Sequence, residues 1–174
     1  CKHVEMKVAV IGAGPAGLVS AREVIRHGCD VVVFEAADQI GGAWVYDERV
    51  EDDPLGQSPG QTIRSSLYDS LRTNLPRDLM AFLDYTFDSK GGGNDTWPRF
   101  PHHTKVLEYL KNFSDHYALV PHIRLSSEVQ KIEKSAEYWT VHSGGSAERF
   151  DAVIICNGHY SRPRIPRLPG IEHF

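Results

Sequence analysis

Cysteine, long apolar runs and surplus positive charge are all scarce in this sequence, and each shortage excludes a class of function. The three cysteines are odd in number and lack the C-x-x-C spacing of zinc or dithiol sites, which favours a reducing, cytoplasmic compartment. No apolar run approaches the roughly 18 residues that span a bilayer, and the first residues lack a signal-peptide pattern. The net charge of −4 and the scattered lysines and arginines argue against nucleic-acid binding.

Histidine and arginine offer weak site candidates as well. His102, His103 and His116 have no carboxylate or cysteine at ligand spacing, so we expect no metal site. Arg72 and Arg77 could anchor a phosphate, but loop arginines are ordinarily solvated. The 174 residues, 41% of them hydrophobic, are enough for one domain with a buried core.

One stretch, residues 7 to 35, predicts a strand, a glycine-rich turn, a helix and a second strand in succession. Val8 to Ile11 form a short apolar run, and Gly12, Gly14 and Gly17 follow it directly in the G-x-G-x-x-G spacing. The first glycine permits a tight turn, the second leaves the backbone open to a pyrophosphate, and the third lets the helix lie close to the strand. The free N–H groups at the start of the helix would bind that pyrophosphate, so the stretch predicts a dinucleotide site.

The end of the second predicted strand, Val31 to Phe34, indicates which dinucleotide fits. Glu35 follows that strand directly, where a carboxylate can accept hydrogen bonds from ribose hydroxyls. The same carboxylate would repel a 2′-phosphate, which argues against NADP at this motif. Pro15 suits the first turn of the helix because its missing N–H is no loss there. The motif therefore predicts FAD or NAD.

The remaining pattern predicts an α/β, doubly wound, Rossmann-like domain. A second helix carries an apolar stripe, and a third parallel strand follows at Ile123 to Leu125. Three short segments then predict an antiparallel meander, and Ala152 to Cys156 predict a buried parallel strand. This order is that of a doubly wound half-sheet with a three-stranded appendage. The stripe consists of Val106, Leu107, Leu110, Phe113 and Tyr117, and the meander of Glu128 to Glu133, Tyr138 to His142 and Glu148 to Phe150.

A long polar connection separates the two halves of this prediction, from Ala36 to about Pro101. It is far longer than ordinary connections, and such lengths are commonly functional or disordered. Gln57 to Gln61 and Ser89 to Asp95 are interpreted as mobile surface loops, whereas Ser65 to Leu83 carry enough apolar residues to pack. We expect the last of these segments to cover the cofactor.

Six stretches carry a resemblance far more specific than the glycine motif alone. They are Gly12 to Gly17, Phe34-Glu35, Gly41 to Tyr46, Ser66 to Arg77, Phe100-Pro101, and Cys156 to Tyr160 leading to Pro163, Pro166, Pro169 and Gly170. Together they resemble the flavin-containing monooxygenases over nearly the whole chain, and most of all the plant members that oxygenate the sulfur of glucosinolate side chains. Ala43 departs mildly from the family pattern, which often has leucine at that place.

The resemblance implies FAD as the bound dinucleotide and a role for several residues. Asn74 would be the catalytic residue, hydrogen-bonded near the flavin and the nicotinamide, where it stabilises the C4a-hydroperoxide that a sulfur or nitrogen nucleophile attacks. An amide suits that role because it donates and accepts hydrogen bonds and has no pKa that would release a proton. The implied FAD contacts are Gly12, Ala13, Gly14, Pro15, Ala16 and Gly17 at the turn, Glu35 on the adenosine ribose, Gly42, Ala43 and Trp44 along the pyrophosphate and ribityl side, Thr73 and Asn74 near the flavin, and the Val129 backbone at the adenine.

NADPH, the reductant that the resemblance implies, has no second glycine motif in this sequence. Gly91 to Gly93 and Gly144-Gly145 do not follow predicted strands. We therefore expect residues 1 to 174 to be the N-terminal portion of the FAD-binding domain, without the NADPH-binding domain and without NADPH-driven turnover alone. The substrates would be dioxygen and a small sulfide or amine. Two alternatives stay open: a noncatalytic, truncated FAD-binding protein, and a related Baeyer–Villiger or amine-specific monooxygenase.

Overall fold

A four-stranded parallel sheet lies at the centre of the fold, as the apolar runs predicted. The coordinates are a computed structural model that describes residues 6–53, 63–159, 166, 168–170 and 173. The strands are β1 (Lys7–Ile11), β2 (Asp30–Phe34), β3 (Ile123–Arg124), β4 (Val129–Lys134), β5 (Trp139–Ser143), β6 (Ser146–Phe150) and β7 (Ala152–Ile155). The central sheet has the order β3-β2-β1-β7, and β4, β5 and β6 form a separate antiparallel sheet.

The strand β1 has a neighbour on each side. Val8 pairs with Val31 of β2 and with Ala152 of β7. Ala9 and Val10 are fully buried, and their side chains point to opposite faces of the sheet. A strand that is covered on both faces needs a continuous apolar run, which is why β1 shows no alternation with polar residues.

Two long helices cover one face of the central sheet. Val10 and Val33 of the sheet share one core with Leu18 of the first long helix and with Leu110 and Phe113 of the second. No helix in the described ranges is long and apolar enough to cross a membrane. The helices are α1 (Pro15–Arg26), the single turns α2 (Arg49–Asp52) and α3 (Arg77–Met80), and α4 (His103–His116).

The antiparallel meander covers the other face of the sheet. Ala9 and Phe34 pack there against Val141 and Phe150. The rings of Phe34 and Phe150 meet edge to face with their centroids 5.8 Å apart, a favoured aromatic geometry. The layers are therefore helices, parallel sheet and antiparallel sheet, which confirms the predicted α/β class with its three-stranded appendage.

The strand predicted as buried at Ala152 to Cys156 lies at the end of the sheet that the described residues form. β7 pairs with β1 on one side, and the residues described provide no strand on its other side. The side chain of Ile155 is 66% exposed. The prediction of burial is wrong for Ile155 in the described part of the chain, because an apolar run indicates a buried strand only where the sheet continues past it.

Residues 89–95, interpreted from sequence as a mobile loop, are held in a series of tight turns. Gly92 is buried, and its N–H donates to the carbonyl oxygen of Thr86 at 2.8 Å. Its own carbonyl accepts from the side-chain amide of Asn112 on α4, also at 2.8 Å. Glycine in this segment serves close packing against the core rather than freedom of the loop.

The segment Ser65 to Leu83 packs only in part. Leu67 is buried as predicted, but Leu79 and Leu83 are exposed to solvent. Its apolar content therefore overstated how much of the segment reaches the core. Three predicted features lie outside the described residues: Gln57 to Gln61, Tyr160 and Pro163.

Candidate functional site

Gly12 and Gly17 bring the turn after β1 into contact with α1. Gly12 has a φ of 105°, and a Cβ there would lie 2.5 Å from the carbonyl oxygen of Cys156. A Cβ on Gly17 would lie 1.8 Å from the carbonyl oxygen of Gly12, so the helix touches the turn through the missing side chain. Both positions require glycine for the steric reasons that the spacing predicted.

The amino end of α1 has no cap from the described part of the chain. Gly14 is the N-cap residue and makes no side-chain hydrogen bond, Pro15 follows as the first helical residue, and the first turn holds no acidic side chain. The first N–H groups of a helix have no acceptors within the helix and carry the positive end of its dipole. The helix end is therefore open to an anion.

Glu35 joins the end of β2 to this turn. Its buried carboxylate accepts from the N–H of Ala13 at 2.6 Å through Oε2 and from the N–H of Ala37 at 2.8 Å through Oε1. Two such bonds stabilise a charge that would otherwise be costly to bury. Each oxygen keeps a second lone pair, so the carboxylate can also accept from a ribose hydroxyl. The bond to Ala13 was not foreseen from the sequence, which showed only that an acid ends the strand.

The Gly41-Gly42 segment lies against the turn from the other side. The N–H of Gly41 donates to the carbonyl oxygen of Ala13 at 3.0 Å. A Cβ on Gly42 would lie 2.9 Å from the Cα of Gly14, so two glycine backbones meet directly. Gly42 was predicted from resemblance alone, and Gly41 was missed, although the paired glycines were a signal of close backbone approach.

The residues after this glycine pair link the site to α4. Gly42–Trp44 form one 3-10 turn, in which Ala43 is exposed and its carbonyl accepts from the hydroxyl of Ser65 at 2.8 Å. Trp44 is half-buried against the core that α1 and α4 form with the central sheet. Leu107 of α4 fills the space beside Gly41, where a Cβ would lie 2.4 Å from its Cδ1 atom. The Gly41-Gly42 pair thus lies between the glycine turn after β1 and α4.

Asn74 lies in a different segment, which is bound to the residues before α4. The neighbouring Thr73 is buried, its N–H donates to the carbonyl oxygen of Pro101 at 3.0 Å, and its hydroxyl donates to that of Leu75 at 2.8 Å. Asn74 is exposed, and its amide forms no hydrogen bond within the described residues. The amide therefore does not stabilise the turn before Pro76 and is available to a ligand.

Val129 lies at the start of β4 and packs against the core between the central sheet and the meander. The N–H of Ser127 donates to the backbone carbonyl of Glu35 at 2.7 Å, which brings the residues before β4 to the end of β2. The pairing of β4 with β5 shifts between Val129 and Lys131. The contact through Ser127 places the start of β4 close to the acidic residue.

The other candidates from the sequence have structural partners. The side chain of Arg77 is 14% exposed, and its guanidinium donates to the carbonyl oxygens of Asn94 and Asp95. The expectation that Arg77 is a solvated arginine was wrong, because a loop distant in sequence folds over it. His102 and His103 both contact a backbone carbonyl, and the described ranges contain no group of three or more acidic, histidine or cysteine side chains arranged for a metal.

The parallel sheet, the glycine turn, the open helix end and the acid after β2 together define a dinucleotide-binding α/β domain. Ligands of such open sheets bind outside the carboxyl ends of the strands. In this chain β1 ends at Ile11, directly before Gly12, and β2 ends at Phe34, directly before Glu35.

Comparison with known proteins gives the family. A family model described as FMO-like, flavin-binding monooxygenase-like, matches residues 5–174, and the chain belongs to this family. The chain is similar to flavin-containing monooxygenase FMO GS-OX5 of Arabidopsis thaliana, with 46% identity over 175 residues that cover 96% of this chain and 38% of that protein. Identity to the putative flavin-containing monooxygenase FMO GS-OX-like 10 of the same plant is 48%, covering 95% and 39%.

A solved structure agrees with these relatives. The structure of S-allyl-L-cysteine S-oxygenase from Allium sativum matches with a TM-score of 0.86 and 45% identity, covering 96% of this chain and 39% of that one. This chain thus spans about two fifths of the length of the relatives that it matches. Both the fold and the family that the motifs resembled are confirmed.

Proposed function

We propose that this chain binds FAD at the carboxyl ends of β1 and β2 and forms the flavin-binding part of a monooxygenase that uses NADPH and dioxygen. The observation that carries the proposal is the hydrogen bond between buried Glu35 and Ala13, beside the uncapped end of α1. It places an acceptor for ribose hydroxyls next to a binding site for a pyrophosphate, and FAD needs both.

The residues around the turn fit a flavin dinucleotide and disfavour NADP. The pyrophosphate would bind the first N–H groups of α1, where Gly14 and Gly42 carry no side chains that could obstruct it. The charge of Glu35 would repel the 2′-phosphate of NADP at the ribose. Trp44 would lie along the ribityl side, and the backbone of Val129 would meet the adenine. NADPH would bind mainly outside these 174 residues, since their one strand-linked glycine motif is assigned to FAD.

Asn74 is the residue that we assign to the reaction itself. Reduced flavin supplies the activation of dioxygen when it is bound, and the protein supplies orientation, hydrogen bonds and exclusion of water. The exposed amide of Asn74 has no protein partner in the part of the chain described, so it can donate to and accept from the flavin and the bound oxygen. Thr73 anchors the segment through Pro101 and keeps the amide at the end of a fixed backbone.

A sulfide is the favoured substrate, and an amine is the second. The argument for sulfur is that the structurally similar Allium sativum protein, at 45% identity, is named as an S-oxygenase. Sulfides and amines are both nucleophiles with an available lone pair, so either can attack the same activated oxygen. A sulfide and an amine offered to the complete enzyme with NADPH would decide between them by the product formed.

Binding of FAD to the purified chain tests the proposal. Titration followed by flavin fluorescence should show saturable binding to the wild-type chain, and NAD in excess should not displace FAD. Glu35→Gln should weaken FAD binding roughly tenfold to a hundredfold, because a hydrogen bond to a charged group is worth about 1.5–3 kcal/mol. The matched control is Glu108→Gln, which changes an exposed glutamate paired with Lys105 on α4.

Two results would contradict the proposal. A wild-type chain that fails to bind FAD would refute the assignment of the cofactor. Equal affinity in Glu35→Gln and wild type would show that the carboxylate does not contact the ribose, even if flavin binds.

A further inference from the structure

His102 and His103 direct the same ring nitrogen at one backbone oxygen. The Nε2 atom of His102 lies 2.7 Å from the carbonyl oxygen of Asp69, and that of His103 lies 3.1 Å from it. The ring centroids are 4.2 Å apart. A carbonyl oxygen has two lone pairs and can accept from both rings at once. Both histidines must then carry their proton on Nε2.

The two rings differ in what their other nitrogen does. Nδ1 of His102 accepts from the N–H of Thr104 at 3.4 Å and lies 3.0 Å from its hydroxyl, so His102 also caps α4. Nδ1 of His103 is buried and has no hydrogen-bond partner within the described residues. Burial and the neighbouring His102 lower the pKa of His103, which keeps its ring neutral. A buried nitrogen without a partner is costly, so the contact with Asp69 is maintained against a penalty.

The histidine pair holds a segment that three further hydrogen bonds attach to α2, to the start of α4 and to the residue two positions before α4. The N–H of His103 donates to the carbonyl oxygen of Leu71 at 3.1 Å, and the N–H of Thr73 donates to that of Pro101 at 3.0 Å. The N–H of Asp69 donates to the carboxylate of Glu51 at 2.8 Å. Residues 69–73 are therefore bound along their length, immediately before Asn74.

The ring of Tyr46 closes this arrangement from the glycine segment. Its centroid is 5.5 Å from that of His103, and its hydroxyl donates to Glu51 at 3.2 Å. Since Tyr46 follows the Gly42–Trp44 turn, the histidine pair connects the start of α4, the Asn74 segment and the pyrophosphate side of the site.

We propose that His102 and His103 are positioning residues: together they clamp the carbonyl of Asp69 and so fix Asn74 relative to the flavin. This inference rests on the proposed function, because it takes Asn74 as the flavin-facing amide. In this proposal the clamp acts through the backbone of residues 69–74, because both histidine rings contact the Asp69 carbonyl.

Three variants separate the clamp from the capping and packing roles of the histidines. His102→Ser keeps an N-cap oxygen but cannot reach Asp69, and His103→Leu removes the second donor. His103→Gln places an amide nitrogen near the position of Nε2 and should restore the contact. The control is His122→Ser, since the His122 side chain makes no hydrogen bond in the described part of the chain.

Limited trypsin digestion of the 174-residue chain measures the clamp without flavin. The exposed Arg72 lies within the clamped segment, and cleavage of the Arg72-Thr73 bond requires this segment to open. Loss of one donor should raise the cleavage rate by roughly three- to tenfold in His102→Ser and His103→Leu. His103→Gln and His122→Ser should cleave at the wild-type rate. Equal rates in all five chains would overturn the clamp.

Flavin fluorescence at saturating FAD measures whether the clamp acts on the site. Asn74→Ala and His102→Ser should change the fluorescence of bound flavin in the same direction, and His102→Ser should add nothing when Asn74 is already alanine. A purely structural histidine would change the flavin fluorescence additively in the double variant, and that result would overturn the positioning role. Faster trypsin cleavage without any change in flavin fluorescence would overturn it as well. A wild-type chain that does not bind FAD would instead refute the proposed function and with it the positioning role, and the trypsin rates would still decide the clamp.

Discussion

Replacing Gly17 by alanine tests the contact between α1 and the turn on which the site depends. The added Cβ would lie 1.8 Å from the carbonyl oxygen of Gly12 and 2.9 Å from its carbonyl carbon. The obstacle is backbone, so α1 must move away by roughly 1.5 Å in a core packed too densely to absorb it. Overpacking usually costs about 1–3 kcal/mol, and an immovable backbone atom at 1.8 Å places this site at about 3 kcal/mol, from which the helix propensity of alanine returns about 1 kcal/mol. We expect a net loss of about 2 kcal/mol in the free energy of unfolding.

Urea unfolding followed by circular dichroism gives that free energy. The control is Gly28→Ala, where φ is 72° and a Cβ would meet no atom within 4 Å. It should cost only about 1 kcal/mol, from the left-handed backbone alone. A Gly17→Ala chain that is as stable as wild type would refute the steric reasoning, because helix propensity would then outweigh the contact.

Two further predictions concern stability. Tyr109→Phe should lower the free energy of unfolding in urea by about 1–3 kcal/mol. The buried hydroxyl donates to the carbonyl of Tyr85 and accepts from the N–H of Phe82, and both groups would lose their partner. An unchanged unfolding midpoint would contradict this prediction. The pKa of His103 is lowered in the folded chain, so the unfolded chain takes up the proton at a higher pH than the folded chain. The free energy of unfolding should therefore fall as the pH drops below about 6.5 toward the folded pKa. His103→Gln should reduce that slope in urea titrations from about pH 7 to pH 5, and parallel slopes would contradict it.

Local chemistry explains which parts of this protein were predictable from the sequence. The strand, glycine turn and helix over Lys7–Ile11 and Pro15–Arg26 follow from an apolar run, three spaced glycines and a helical period, all within one short stretch. The meander strands were foreseen for the same reason, since their alternation and the Gly144-Gly145 turn are local signals. The position of Glu35 directly after β2 was also visible in the sequence.

The tertiary structure alone decided which separate segments meet. The bond from Ala13 to Glu35, the contact of Gly42 with Gly14, and the histidine contacts with Asp69 join residues whose distance in sequence gives no periodic signal. The exposure of β7 likewise depends on where the strand lies in the sheet.

Tyr109 shows the same limit inside a helix. It is buried in α4 outside the predicted apolar stripe because Phe82 and Tyr85 supply partners for its hydroxyl. The sequence determined the local elements and the chemistry they carry, since those depend on residues next to one another. Only folding determined the partners of each buried polar group, because those partners come from distant parts of the chain.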